Sequence, residues 1–275
     1  MMSQYQPDVV VILGDLLDEG YVASDEEFFQ YEEWFKDIYD VDPSTRILLA
    51  GDNDVGGEDE PIDIHKLKRH EKYFGPVNEI VTVKNWQFFK VNTLGFLRYE
   101  FTSQHEKNAM ESLNTFMATA LRKLDKNKHT LVFSHLPLRY WDAYFAVKVM
   151  NNIKPKAIFS GHDHKAGFYK ISKNICHNWK SGILHWEFYF QAKYRMYKTG
   201  IFSTEEYVQP TCSYRMGSIH MGIGVVILEE NGSFHYTILK LPQRFFYLIL
   251  YAVVSVLCLL YILLSVLCKI PRFNS

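Results

Sequence analysis

The chain has 275 residues, 30 Lys and Arg against 31 Asp and Glu, and a formal net charge of −1. That near balance excludes a nucleic-acid partner held by bulk electrostatics. A length of this kind suits one larger α/β domain with a sizeable core, spanning residues 1–240, plus a short C-terminal appendage.

Val9–Leu13 is a continuous apolar run ending in Gly14-Asp15-Leu16-Leu17-Asp18, the pattern of a buried parallel strand followed by a turn. Residues 24–40 then read as a helix. Ser24 is the N-cap, Asp25, Glu26 and Glu27 load the first turn, and Phe28, Phe29, Tyr31, Trp34, Phe35 and Ile38 form the expected buried stripe. Arg46–Ala50 is the next strand, ending in Gly51-Asp52-Asn53-Asp54. Ile64–Tyr73 is a helix whose basic run, Lys66 to Lys72, reads as a solvated face.

Glu79–Asn92 and Leu97–Phe101 form an expected antiparallel passage, and Glu106–Leu124 an amphipathic helix. Thr130–Phe133 is a strand ending in Ser134-His135. Trp141–Asn151 is helical, and Ala157–Ser160 is a strand ending in Gly161-His162-Asp163-His164. Thereafter the pattern is β: residues 168–171, 186–190, 219–228 and 232–239, with a turn at Asn231-Gly232. Asn231-Gly232-Ser233 also fits a glycosylation acceptor, but its context favours a hairpin turn. Strand–helix alternation followed by antiparallel strands predicts an α/β fold of two packed mixed sheets flanked by helices.

Phe245–Cys268 carries no charge. At about 1.5 Å per residue it is long enough to cross a bilayer core of about 30 Å, so it is expected to be a transmembrane helix, with residues 269–275 a short basic tail. Basic residues flank both ends, Lys240 and Arg244 before and Lys269 and Arg272 after, so charge does not set the topology. Of the four cysteines, Cys258 and Cys268 fall in this segment. Cys176 and Cys212 have no zinc spacing; they are either paired in an oxidising lumen or free thiols.

Four strand ends each carry a metal-ligating residue, and in open α/β sheets such ends converge on one crevice. A lone Gly-Asp after a strand is usually only a turn; four in order point to a two-metal phosphoester-cleaving centre. Two ions about 3.5–4 Å apart neutralise the phosphate, stabilise the leaving oxygen and generate hydroxide, with a bridging carboxylate fixing their separation. Asp15 is the candidate bridge, with Asp52, His135, His162 and His164 as further ligands. Asp18 and Asp54 are expected to cap turns or to orient ligands. Mixed oxygen and nitrogen donors suit manganese, iron or zinc better than magnesium or calcium.

These segments resemble the calcineurin-like metallophosphoesterase superfamily, whose ordered motifs are D-x-H, G-D-x-x-D, G-N-H-[DE], a single His after a strand, and G-H-x-H. Gly14–Asp18 matches the second, His135 the fourth and Gly161–His164 the fifth. Leu13–Gly20, Arg215-Met216-Gly217-Ser218-Ile219 and the apolar C-terminus resemble the membrane-anchored branch that remodels glycosylphosphatidylinositol (GPI) anchors. That resemblance implies removal of ethanolamine phosphate from the anchor glycan, with manganese the expected metal, at the endoplasmic reticulum, its exit sites or the Golgi. Two departures stand out. Asp52 and Asn53 replace the Asn and His of the third motif, so Asn53 can contact phosphate but cannot serve as a general acid. The D-x-H strand is missing before residue 8, which suggests a truncated, catalytically inactive isoform, or an incomplete gene model, as the alternative to an active enzyme. The chain is single-pass as it stands and would be two-pass with an upstream anchor.

Overall fold

The computed structural model describes residues 7–39, 46–58, 60–94, 104–140, 143–171, 187–188, 197–198 and 204–269. In chain order the elements are β1 (Val10–Ile12), α1 (Asp25–Ile38), β2 (Arg46–Leu48), α2 (Asp52–Val55), α3 (Ile64–Phe74), β3 (Glu79–Val83), β4 (Trp86–Val91), α4 (Gln104–Lys123), β5 (His129–Ser134), α5 (Ala143–Asn152), β6 (Ala157–Ser160), β7 (Gly167–Ile171), β8 (Glu187–Phe188), β9 (Tyr197–Lys198), β10 (Thr204–Val208), β11 (Gly222–Leu228), β12 (Phe234–Lys240) and α6 (Arg244–Lys269).

They form a seven-stranded mixed sheet of order β3-β4-β5-β6-β10-β7-β8, a parallel pair β1-β2, and an antiparallel sheet β11-β12-β9. β4, β5, β6 and β10 run parallel to their neighbours in that order, and side chains on each alternate between two cores. Phe89, Val91, Val132 and Ile158 face the helices, meeting Leu113, Met117, Phe145 and Val149. Phe88, Leu131, Phe133, Phe159 and Tyr207 face the other way, toward Ile47, Leu49, Phe234 and Tyr236 of the smaller sheets. Both faces are buried, so these strands read as unbroken apolar runs rather than alternating ones. A third core places α1 on the outer face of β1 and β2, through Phe28, Phe35, Leu17 and Leu48.

Phe133, Phe159 and Tyr207 stand in register on neighbouring strands, with ring centroids 5.6 and 5.3 Å apart and nearly parallel planes. This ladder lies directly beneath the ends of β5 and β6 and holds them side by side.

Helix α1 starts as expected. Ser24 accepts from the Glu27 backbone, and the Glu27 carboxylate accepts from Ser24 N. Its buried stripe is narrower than the apolar pattern predicts. Phe28 and Phe35 are buried, whereas Phe29 and Trp34 are half exposed and Ile38 is 74% exposed. Among the described residues, the apolar neighbours of the acidic helix come from β1–β2, the turn after β1 and α3, enough to cover one row of rings.

The basic run of α3 is likewise not wholly solvated. Arg69 donates to the carbonyls of Gly20 and Ala23 and pairs with Asp25, its side chain only 8% exposed. His70 is fully buried. Asn231-Gly232 forms the β11–β12 turn, with Gly232 at φ 82°. Cys212 is an exposed free thiol; Cys176, the expected strand 97–101 and the basic tail lie outside the described residues. Strand β10 and the short α2 have no counterpart in the sequence reading. Helix α6 is long and apolar enough to cross a membrane, with mean hydropathy 2.7 over the most apolar 18 residues within Arg244–Val266 and no part of that window buried.

Candidate metal centre

Four strands end at one place. β1 leads to Gly14-Asp15, β2 to Gly51-Asp52, β5 to His135, and β6 to Gly161–His164. The backbone there is unusual: Asp15, His162 and His164 all have positive φ (53°, 66° and 60°). Such left-handed conformations at non-glycine residues cost free energy and cluster where a side chain must be aimed. Gly14, at φ 100°, also admits close approach, since a Cβ there would run into the His135 ring. A Cβ on Gly51 would strike the Asp15 carboxylate. Glycine is required at both turns for the strand ends to meet.

Asp52, His135 and His162 converge. Asp52 Oδ1 lies 2.8 Å from His135 Nε2 and 3.1 Å from His162 Nδ1, and the two imidazole nitrogens are 3.3 Å apart. One oxygen and two ring nitrogens within 4.8 Å of one another form a donor set that fits a borderline divalent cation. The far nitrogen of His135, Nδ1, donates to the Leu13 carbonyl at 2.7 Å, which turns Nε2 toward the cluster and makes it the nitrogen that would bind a cation once it gives up its own proton. The far nitrogen of His162, Nε2, is 3.2 Å from the Glu58 carboxylate, and the Tyr140 ring packs edge-on against that imidazole. Tyr140 donates its hydroxyl to Asp163.

Asp15 sits beside the cluster. Its Oδ1 is 3.7 Å from His135 Nε2 and accepts from Asn53 N at 3.2 Å. His164 is in the same turn but does not belong to the three-donor group, and its carbonyl accepts from Thr211 N. Asn53 lies in the first turn of α2, its backbone N–H on the Asp15 carboxylate. Asp54 is fully buried and accepts from the backbone of Leu16, Leu17 and Gly51, so one carboxylate ties the Gly14 turn to the Gly51 turn. Asp18 pairs with Arg215.

The charges are mutually dependent. Burial alone would raise the Asp52 carboxyl, but hydrogen bonds and charge from His135 and His162 outweigh it and hold it well below the usual carboxylate range. Burial disfavours a charged His135, yet Asp52 and Asp15 prevail and raise its pKa to about 9. His162 moves upward as well, burial being overcome chiefly by its hydrogen bond to Asp52. Without a metal, protons on the imidazoles therefore supply the positive charge that the carboxylates demand. Asp54 shifts upward to about 7, first through burial and then through the nearby Asp15 charge, against three backbone donors.

Glu58, Tyr140 and the Leu13 carbonyl are absent from the sequence reading. Glu58 follows a Gly56-Gly57 pair four residues after Asp54, a spacing that lets the chain fold back over the site, but nothing in the pattern marks its partner. Glu206, on the unforeseen β10, accepts from Leu138 N and Ser160 Oγ and braces the loops after β5 and β6.

A family model described as calcineurin-like phosphoesterase matches residues 2–166, which includes all four strand-end segments. The chain is 28% identical over 185 residues to the Metallophosphoesterase 1 homolog of Caenorhabditis elegans, covering 58% of this chain and 49% of that protein. It is 32% identical over 94 residues to the Metallophosphoesterase 1 homolog of Drosophila melanogaster (33% of this chain, 25% of that protein). Against Metallophosphoesterase 1 of Mus musculus it is 32% identical over 90 residues (32% and 22%). The matched region thus spans half or less of each of these relatives.

Proposed function

Because this chain belongs to the calcineurin-like phosphoesterase family, we propose that it is a membrane-bound, metal-dependent phosphodiesterase acting on a lipid-linked glycan phosphate. The observation that carries this reading is the convergence of Asp52 Oδ1, His135 Nε2 and His162 Nδ1 at the ends of three different strands. These three would hold one divalent ion, and Asp15 would bridge toward a second near His164. Manganese is the favoured metal, with zinc or iron compatible with the same donors. When bound, such ions supply Lewis-acid charge neutralisation and lower the pKa of water.

The chain's own residues do the remaining work. Leu13 O and Glu58 fix the two imidazole rings by their far nitrogens, so that metal-facing lone pairs are pre-aimed. Asp54 keeps the two carboxylate-bearing turns at a fixed separation. The Asn53 side-chain amide would donate to a non-bridging phosphate oxygen in this reading, and a departing alkoxide would take its proton from water. The particular substrate we favour is the ethanolamine phosphate of a GPI anchor, in membranes of the endoplasmic reticulum or Golgi. It is supported by the likeness of Leu13–Gly20 and Arg215–Ile219 to the anchor-remodelling branch and by the apolar helix α6.

A second reading, a fold kept for binding rather than turnover, is favoured by Asn53 standing where the family motif has its histidine. Metal stoichiometry separates the two. The full chain in detergent, dialysed against manganese, should hold close to two ions. Asp15→Asn should lose at least one ion together with diester hydrolysis. Full metal occupancy with no hydrolysis of any diester would favour the binding role.

A further inference from the structure

The segment between β10 and β11 touches both the metal centre and the apolar helix. Its base is closed by Gly222 N donating to Thr211 O at 3.1 Å, and Thr211 N donates to the carbonyl of His164 at 3.3 Å. Farther along, Arg215 pairs with Asp18 of the Gly14–Asp18 turn. Between these anchors, Tyr214 O accepts from Arg244 Nη1 at 2.9 Å, and Arg244 is the first residue of α6. One short loop therefore joins two ligand-bearing turns to the start of the apolar helix.

Its outward side is suited to a lipid surface. Tyr214 is 47% and Ile219 53% exposed, and Arg215 and His220 are exposed beside them. An extended arginine side chain reaches only about 6–7 Å from its Cα. Tyr214 must then lie within roughly that distance of the depth at which α6 leaves the domain, where amphipathic aromatic and basic side chains favour the headgroup layer. Three local turns stiffen the loop: Ser213 N bonds to Thr211 Oγ1, Arg215 N to Ser213 Oγ, and His220 N to Ser218 Oγ.

We infer that the Thr211–Met221 loop rests on the bilayer that α6 enters, with Tyr214 and Ile219 in the headgroup layer. The Gly14–Asp18 and Gly161–His164 turns are thereby held at the membrane surface. The inference rests on the phosphodiesterase reading for its consequence: the centre prefers phosphodiesters carried on lipid to those free in water. The placement itself is independent of that reading.

The test uses the full chain in phosphatidylcholine nanodiscs, labelled with an environment-sensitive NBD dye on the exposed Cys212 after Cys176, Cys258 and Cys268 are replaced by serine. The expected result is blue-shifted emission, quenched several-fold more by headgroup nitroxide lipid than by aqueous iodide. Water-like emission, open to iodide, would overturn the placement. In the same discs, Tyr214→Ser with Ile219→Ser should lower the ratio of lipid-diester to soluble-diester turnover about tenfold, and an unchanged ratio would overturn the surface preference. If neither diester is hydrolysed by the parent chain, the enzymatic reading fails while the dye result still decides the placement.

Discussion

Glu58 Oε1 lies 3.2 Å from Nε2 of His162, on the side of the ring opposite the nitrogen that faces Asp52. A carboxylate behind a ligand imidazole fixes its tautomer and raises its basicity, and losing such a partner typically weakens metal binding about 10–100-fold. Glu58→Ala should weaken manganese affinity within that range in a competitive chelator titration. Glu58→Gln, which keeps an acceptor oxygen, should restore part of it. An unchanged affinity in Glu58→Ala would reduce the pair to a surface contact.

In the proposed centre, Asn53 stands where the family motif has a histidine. Protonating a poor leaving group by a placed general acid contributes about 10²–10⁴ in rate, and an amide cannot do it. Asn53→His should therefore raise kcat at least about tenfold for an alkyl phosphodiester, but little for bis(p-nitrophenyl) phosphate, whose leaving group needs no proton. Equal acceleration of both substrates would assign position 53 to phosphate binding alone.

Asp54 stabilises the site by satisfying three backbone donors from inside the protein. Leaving buried N–H groups unpaired costs about 1–3 kcal/mol each before any relaxation. Asp54→Ala should lose roughly 3 kcal/mol, a fall in melting temperature of about 10 °C for a domain of this size, measured by thermal unfolding in detergent. Asp54→Asn keeps one acceptor and should lose less.

His70 gives the fold an acid-sensitive point far from the metal ligands in sequence. It is buried against Phe74, and neither ring nitrogen makes a hydrogen bond of good geometry. Burial first, then the nearby Lys90 ammonium, lowers its pKa from 6.5 to about 3. The unfolded chain thus binds one more proton than the folded one between about pH 6.5 and 3, and stability falls as pH falls through that window. By pH 5 the loss is about 2 kcal/mol from this group. Lys90, brought down to about 8 mainly by burial, is charged in both states below that pH and adds no slope here. Urea titrations at pH 7 and 5 should show a smaller pH 5 penalty in His70→Leu than in the parent; an equal penalty would place the acid sensitivity elsewhere.

The sequence exposes the fold where one pattern determines one element. The unbroken apolar runs before Gly14, Gly51, His135 and Gly161 read as strands and are strands, and Ser24 with Glu27 marked the start of α1. The failures have physical causes. β10 carries Glu205 and Glu206 in a fully buried strand, and paired acids hide a core element unless their partners, Leu138 N, Ser160 Oγ and Tyr207 Oη, are known. Phe29, Trp34 and Ile38 resemble core residues in periodicity, yet how wide a helix face is covered depends on its neighbours. At the candidate site, the convergence of Asp52, His135 and His162 was legible because each follows a strand. Glu58, the Asp18–Arg215 pair and the position of His164 depend on loop paths, which local sequence does not determine.

The most direct measurement is manganese-dependent hydrolysis of bis(p-nitrophenyl) phosphate by the full chain, beside His135→Ala and the chelated protein. His135 is buried and supplies the cluster's central nitrogen. Turnover should disappear with chelator, return with manganese, and fall at least about 100-fold in His135→Ala, a loss of roughly 2.7 kcal/mol in transition-state stabilisation. Hydrolysis that survives both chelation and His135→Ala would contradict the assignment of a metal centre at the ends of β2, β5 and β6.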